Sequence, residues 1–153
     1  MSRAFVKETD ADTIDLPDRP VSPHPNFVTA EGLSAIEREL ARLDAAHATA
    51  VASEDKAVIA AVARELRYWT ARRASAQVIE PPADKSTVHF GASVTVRRDD
   101  GRTQNFRIVG EDEAQPSRGT LSHVSPLARA LYGKRVGDTV EVAGGAAEIL
   151  AIT

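Results

Sequence analysis

The pair Pro81-Pro82 separates two stretches of different hydrophobic period, and that switch limits what this chain can fold into. Upstream, apolar residues recur at helical spacing: Leu33, Ile36, Leu40 and Leu43, then Val58, Val62, Leu66 and Trp69. Downstream, from Val88, the spacing drops to two, with Val94 and Val96 alternating with Ser93, Thr95 and Arg97. Side chains share a helix face every three to four residues and a strand face every second residue. Proline ends a helix because it lacks the amide hydrogen and clashes with the preceding turn. A change of period across two prolines therefore predicts an α+β chain with a helical part and a separate sheet.

In the helical part Thr29 is placed to cap a first helix, with Glu31 in its first turn facing the positive dipole end. The spacing of Leu33, Ile36, Leu40 and Leu43 is a coiled-coil seam, and Glu37, Arg38, Glu39 and Arg42 occupy the outer face. Residues 45–52 are small and featureless. Ser53 is read as the cap of a second helix, with Glu54 and Asp55 following. Two seams joined by a short turn predict an antiparallel helical hairpin, a short coiled coil with arms of ~27 and ~36 Å. Trp69 reads as a core anchor rather than a stacking platform.

In the sheet part Asp99-Asp100-Gly101 is a tight turn, and Phe106 and Ile108 alternate with Arg107 on the return strand, a β-hairpin. Ser125 caps a short helix with Pro126 at its first position, and Gly133 ends it after Leu131. Residues 136–142 and 147–152 give two further strands, turned by Gly144-Gly145. An antiparallel sheet with one short helix is expected.

Residues 1–26 form the third region. Pro17, Pro20, Pro23 and Pro25 forbid a helix and favour extended chain, so a flexible or draped tail is expected. The predicted divisions are thus 1–26, 27–80 and 81–153. Formal net charge is −3, distributed as −2, −1 and zero over these regions, too little positive charge for any of them to hold phosphate backbones by charge alone. There are no cysteines, which excludes disulfides, thiolate metal sites and a Cys nucleophile. His24, His47, His89 and His123 lack ligand spacing, so neither a metal nor a cofactor is expected. No apolar run approaches the ~18 residues of a membrane span, and the N-terminus lacks a basic start with an apolar core. A cytoplasmic monomer without membrane contact is the expectation.

The run Phe106-Arg107-Ile108-Val109-Gly110-Glu111-Asp112-Glu113 is followed by Ser125-Pro126-Leu127-Ala128-Arg129-Ala130-Leu131. Phe90-Gly91 precedes it, and Gly133-Lys134 and Gly137-Asp138 come after. Together these motifs resemble the C-terminal domain of the bacterial GreA/GreB transcription elongation factors. Thr29, Gly32, Leu33, Leu40 and Leu43 resemble the opening of the family's first helix. Arg67-Tyr68-Trp69-Thr70-Ala71-Arg72-Arg73 resembles the end of its second. The resemblance implies an FKBP-like sheet domain that docks on RNA polymerase at the rim of the secondary channel. It makes Val124, Ser125, Pro126 and Arg129 the contact candidates, although GreB-type proteins carry an acid at the position of Val124. It also implies an elongation regulator with bacterial RNA polymerase as partner. Arg64, Arg67, Arg72 and Arg73 are candidates for contact with polymerase or with nascent RNA and DNA in the elongation complex. The competing reading of these arginines is a solvated helix face paired with acids.

Family members carry an Asp and, three residues on, a Glu at the hairpin tip. These carboxylates help hold a second Mg²⁺ in the polymerase active site, where two metals clamp the attacking and leaving oxygens. By the resemblance, this hairpin is about two helical turns shorter per arm. Its tip acids, Glu54 and Asp55, are adjacent, so on a helix they would point in different directions. Little or no cleavage stimulation is expected, and the chain itself is not expected to be an enzyme. Any Mg²⁺ would belong to the polymerase. The alternatives are an active cleavage factor using Glu54 and Asp55 and, more remotely, a prolyl isomerase suggested by the FKBP-like fold alone.

Overall fold

The computed structural model describes residues 15–153; residues 1–14 of the expected tail lie outside it. The described residues divide into two compact units. One comprises 34–75 with 15–23, and the other 24–33 with 76–153.

The helical unit is built on α1 (Ala30–Ala52) and α2 (Lys56–Ser75). Its buried stripe on α1 is Ile36, Leu43 and Ala50, one residue per heptad. Leu33, Leu40 and His47 flank that stripe half-buried, so the seam continues through residues 45–52, which the sequence left unassigned. Leu40 is therefore not a fully buried seam residue, and Val58, also expected in the seam, is exposed. Val62, Leu66 and Trp69 are half-buried. The arms are about 34 and 30 Å at 1.5 Å per residue, the first longer and the second shorter than expected.

Ser53 does not cap α2. The backbone N–H of Ser53 still bonds Thr49 at the end of α1 (3.0 Å), and Asp55 takes the capping role by accepting from the Val58 N–H at 3.2 Å. Glu54 between them sits at φ 53°, a left-handed conformation that reverses the chain. An ion pair between Arg73 and Glu37 (3.1 Å) links the two arms.

Residues 16–19, placed by sequence in a flexible or draped tail, lie along α2. Arg19 pairs with Glu65 at 2.7 Å, and the Arg64 Nε donates to the Pro17 carbonyl at 2.6 Å.

The second unit holds a five-stranded sheet in the order β5-β4-β3-β7-β6. Its strands are β3 (Ser93–Arg98), β4 (Thr103–Val109), β5 (Thr120–Ser122), β6 (Thr139–Val142) and β7 (Gly145–Ile152). The β3–β4 hairpin turns at Gly101 (φ 84°), and β7 pairs with β3 through a bulge at Thr95/Val96. The sheet is mixed rather than purely antiparallel, because β5 pairs parallel to β4. At three residues, β5 is too short to carry a legible period.

A second parallel pair, β1 (Phe27–Val28) with β2 (Gln77–Val78), ties the residues that enter α1 to those that leave α2. The sheet core is Val88, Phe90, Val94, Val96, Ile108, Leu121, Val140 and Ile149, closed by Ala128 and Leu131 of α3 (Pro126–Leu131). Gly133, at φ 77°, ends α3, and its N–H bonds the Val88 carbonyl at 2.8 Å, which fixes the short helix to the core.

Candidate functional site

The loop between β5 and α3 gathers the residues expected to make contact with a partner. The His123 N–H continues the β4–β5 ladder to the Val109 carbonyl (2.9 Å), and the chain then turns, with Ser125 N–H bonding the Ser122 carbonyl (2.9 Å). The Ser122 Oγ accepts from the Val124 N–H at 3.3 Å. Ser125 caps α3 as expected, its Oγ accepting from Ala128 N–H at 3.3 Å, and Pro126 occupies the first helical position. Both devices leave the loop with little conformational freedom. Pro126 and Arg129 are exposed, while Val124 and Ser125 are half-buried. Val124, Ser125 and Pro126 thus stand on one capped turn and Arg129 on the helix that follows, backed by Ala128 and Leu131 in the core.

The support beneath this loop was not legible in the sequence. The His123 ring packs against Phe27 (5.2 Å between centroids) and Phe90 (5.7 Å), and those two phenyl rings meet edge to face at 6.1 Å. Its Nε2 is buried with no hydrogen-bond partner among the described residues. Desolvation holds the imidazole below its ordinary range; the Glu111 charge opposes that shift, and His24 and Arg129 add to it. The folded state therefore favours the neutral ring, whereas the unfolded chain takes up a proton near the ordinary value of 6.5. Stability supplied by this site is complete above that value and declines as pH falls through it. Urea midpoints should drop between pH about 7.5 and about 5.5, and His123→Leu should flatten that part of the profile.

On its other side the loop's unit is pinned by Glu113. Its carboxylate accepts from the Thr29 N–H (3.0 Å) and the Gly110 N–H (3.1 Å), and closely from the Thr29 hydroxyl. Thr29 Oγ1 in turn accepts from the Gly32 N–H at 3.0 Å, the cap expected of it. A Cβ on Gly110 would stand 2.4 Å from the Phe27 carbonyl oxygen, so glycine is required where β1 passes.

The other candidates are dispersed. Arg64 and Arg67 are engaged by residues 16–18, Arg73 by Glu37, and Arg72 is buried. Arg64 also pairs with the neighbouring Glu65 at 3.7 Å; the other partners of Arg64 and Arg67 come from the tail, and none is an acid at helical spacing. Glu54 and Asp55 lie in the turn joining the helices, one in a left-handed residue and the other committed to capping. Among the described residues no three His, Asp or Glu side chains gather as a metal site. Phe90 and Phe106 pack in or against the core rather than lining a cleft, which leaves Tyr132 as the exposed aromatic of the three that an isomerase reading would use.

A helical hairpin followed by a small mixed sheet, with one capped turn beside a short helix, defines a class of two-part α+β proteins. Residues 83–153 match the family model described as Transcription elongation factor, GreA/GreB, C-term. The chain is 32% identical over 136 residues to GreB of Haemophilus influenzae, covering 76% of this chain and 86% of that protein. It is 34% identical over 141 residues to GreA of Chloroflexus aggregans, covering 77% and 88%. GreB of Neisseria meningitidis serogroup B is 44% identical over 79 residues, and there the match spans about half of each chain, 50% and 48%. The solved structure of Gfh1 from Thermus thermophilus aligns over 85% of this chain and 99% of that one, at 18% identity and a TM-score of 0.41. The chain belongs to the GreA/GreB family of transcription elongation factors.

Proposed function

We propose that this chain docks on bacterial RNA polymerase at the secondary channel and modulates elongation with little or no stimulation of transcript cleavage. Val124, Ser125, Pro126 and Arg129 make the contact. Family membership supports the partner class, and the preorganised turn at Ser125-Pro126 supports the surface, since a rigid loop loses little entropy on binding.

The observation that carries the non-cleaving reading is the tip. Cleavage needs carboxylates presented together to a metal, with oxygen ligands ~2.1 Å from Mg²⁺. Here Asp55 spends its carboxylate on the Val58 N–H, and Glu54 and Asp55 are consecutive residues of a turn rather than acids three apart. A hairpin shorter by about two turns per arm would hold them ~10 Å back from that metal.

The test is a cleavage assay on backtracked elongation complexes. The purified protein should release little or no cleaved transcript, and in excess it should suppress cleavage driven by an authentic GreB through competition for the rim. Robust cleavage that disappears in Glu54→Ala or Asp55→Ala would assign those acids as the working tip instead.

A further inference from the structure

The segment before α1 is not idle. We propose that residues 16–19 are an intramolecular strap that screens a single-stranded nucleic-acid-binding face on α2, and that the strap must leave before that face is used. This does not depend on the docking loop.

The composition of α2 points to the ligand. Besides the buried Arg72 it carries four cations, Lys56, Arg64, Arg67 and Arg73, against one acid, Glu65, in a chain of net charge −3. Arg64 and Arg67 lie beside an aromatic pair, Tyr68 and Trp69, whose rings meet edge to face at 5.1 Å. Guanidinium groups that track phosphates and aromatic rings that accept bases are the two elements of single-strand binding.

The strap fills both. The Arg64 Nε donates to the Pro17 carbonyl at 2.6 Å, and Arg67 donates to the Leu16 carbonyl at 3.3 Å and to the Asp18 carboxylate at 2.5 Å. These oxygens stand where phosphate oxygens would. The Arg19 guanidinium lies 3.7 Å from the centre of the Tyr68 ring, where a base would stack. Arg19 also pairs with Glu65, the one acid on the helix, at 2.7 Å; Arg64 lies 3.7 Å from the same carboxylate, so Glu65 keeps a cation beside it when the strap leaves. Pro17 and Pro20 keep the segment extended, so it matches the arginines without folding. The anchors are partly exposed ion pairs, each individually weak, so a ligand with several phosphates can displace them.

The experiment uses the full chain with Asp18→Asn and Arg19→Ala together. One charge of each sign is lost, so the net charge stays at −3 and a gain in binding cannot come from bulk electrostatics. Binding of a labelled 12-nucleotide single-stranded RNA is followed by anisotropy across a salt series, with backbone order of residues 15–23 followed by NMR. The strap should lose order, and affinity should rise about three- to tenfold. The slope of log K against log salt should steepen by about 1.4, two phosphates' worth for a single strand. Adding Arg64→Ala and Arg67→Ala should abolish both gains. A released strap with unchanged affinity overturns the proposal, as does a strap that stays ordered without its anchors, or a gain that survives loss of both arginines. Equal gain for poly-glutamate would reassign the face to acidic peptides and overturn its assignment to nucleic acid.

Discussion

Ser125→Glu combined with Pro126→Ala should lower affinity for RNA polymerase at least about tenfold, a loss of about 1.4 kcal/mol or more. The pair sits on the exposed side of a turn whose other side is core: Pro126 is exposed, while Ala128 and Leu131, two and five residues on, are fully buried. Losing the Ser125 cap costs about 1 kcal/mol of helix stability, and the sheet, whose core does not include either residue, should stay folded. Binding should therefore fall while near-ultraviolet circular dichroism is unchanged. Val124→Asp, which restores the acid of GreB-type proteins, should move affinity the other way. Wild-type affinity in the double variant would place the contact on another surface.

Gly32→Ala should destabilise the protein by about 2–4 kcal/mol, although alanine in a helix is ordinarily worth about 1 kcal/mol over glycine. The added Cβ would stand 2.1 Å from the Glu113 carboxyl carbon and 2.3 and 2.6 Å from its oxygens. The carboxyl group cannot swing aside freely, because it accepts from the Thr29 N–H, the Thr29 hydroxyl and the Gly110 N–H. Displacing it forfeits bonds to a charged acceptor, each worth about 1.5–3 kcal/mol. Glu113→Ala removes the obstacle along with those bonds. In that background Gly32→Ala should cost almost nothing, and a double-mutant cycle by urea unfolding should show strong coupling. Additive effects would show that Gly32 is constrained by something other than this carboxylate.

The two kinds of secondary structure were legible because each rests on local chemistry. Period 3.6 before Pro81-Pro82 and period 2 after it marked the hairpin and the sheet. Thr29, Ser125, Gly101 and Gly133 act at the positions read for them, because caps and tight turns are decided within three or four residues. The cap of α2 falls at Asp55 rather than Ser53. Ser53 and Asp55 are both good caps, and the choice was made by α1, which runs on to Ala52 through a stretch with no local signal.

The capped turn proposed to dock is legible from its motif, yet what holds it is not. Nothing in the neighbourhood of His123 announces that Phe27, almost a hundred residues earlier, will lie against it, or that Glu113 will reach the start of α1. The strap was equally hidden, since an extended proline segment has no period and reveals its partners only when Arg64, Arg67 and Tyr68 stand along one face of a helix.

Sequence alone therefore determined the two kinds of secondary structure, the capped turn and the family, all of which follow from spacing and residue type along the chain. Tertiary structure decided the parallel strands β1, β2 and β5, the burial of the His123 Nε2, the carboxylate lock at Gly32 and the partners of the α2 arginines. Those features are made by groups far apart in sequence, and contacts of that kind carry no local periodicity. They form when the folded backbone brings complementary groups within van der Waals or hydrogen-bonding distance.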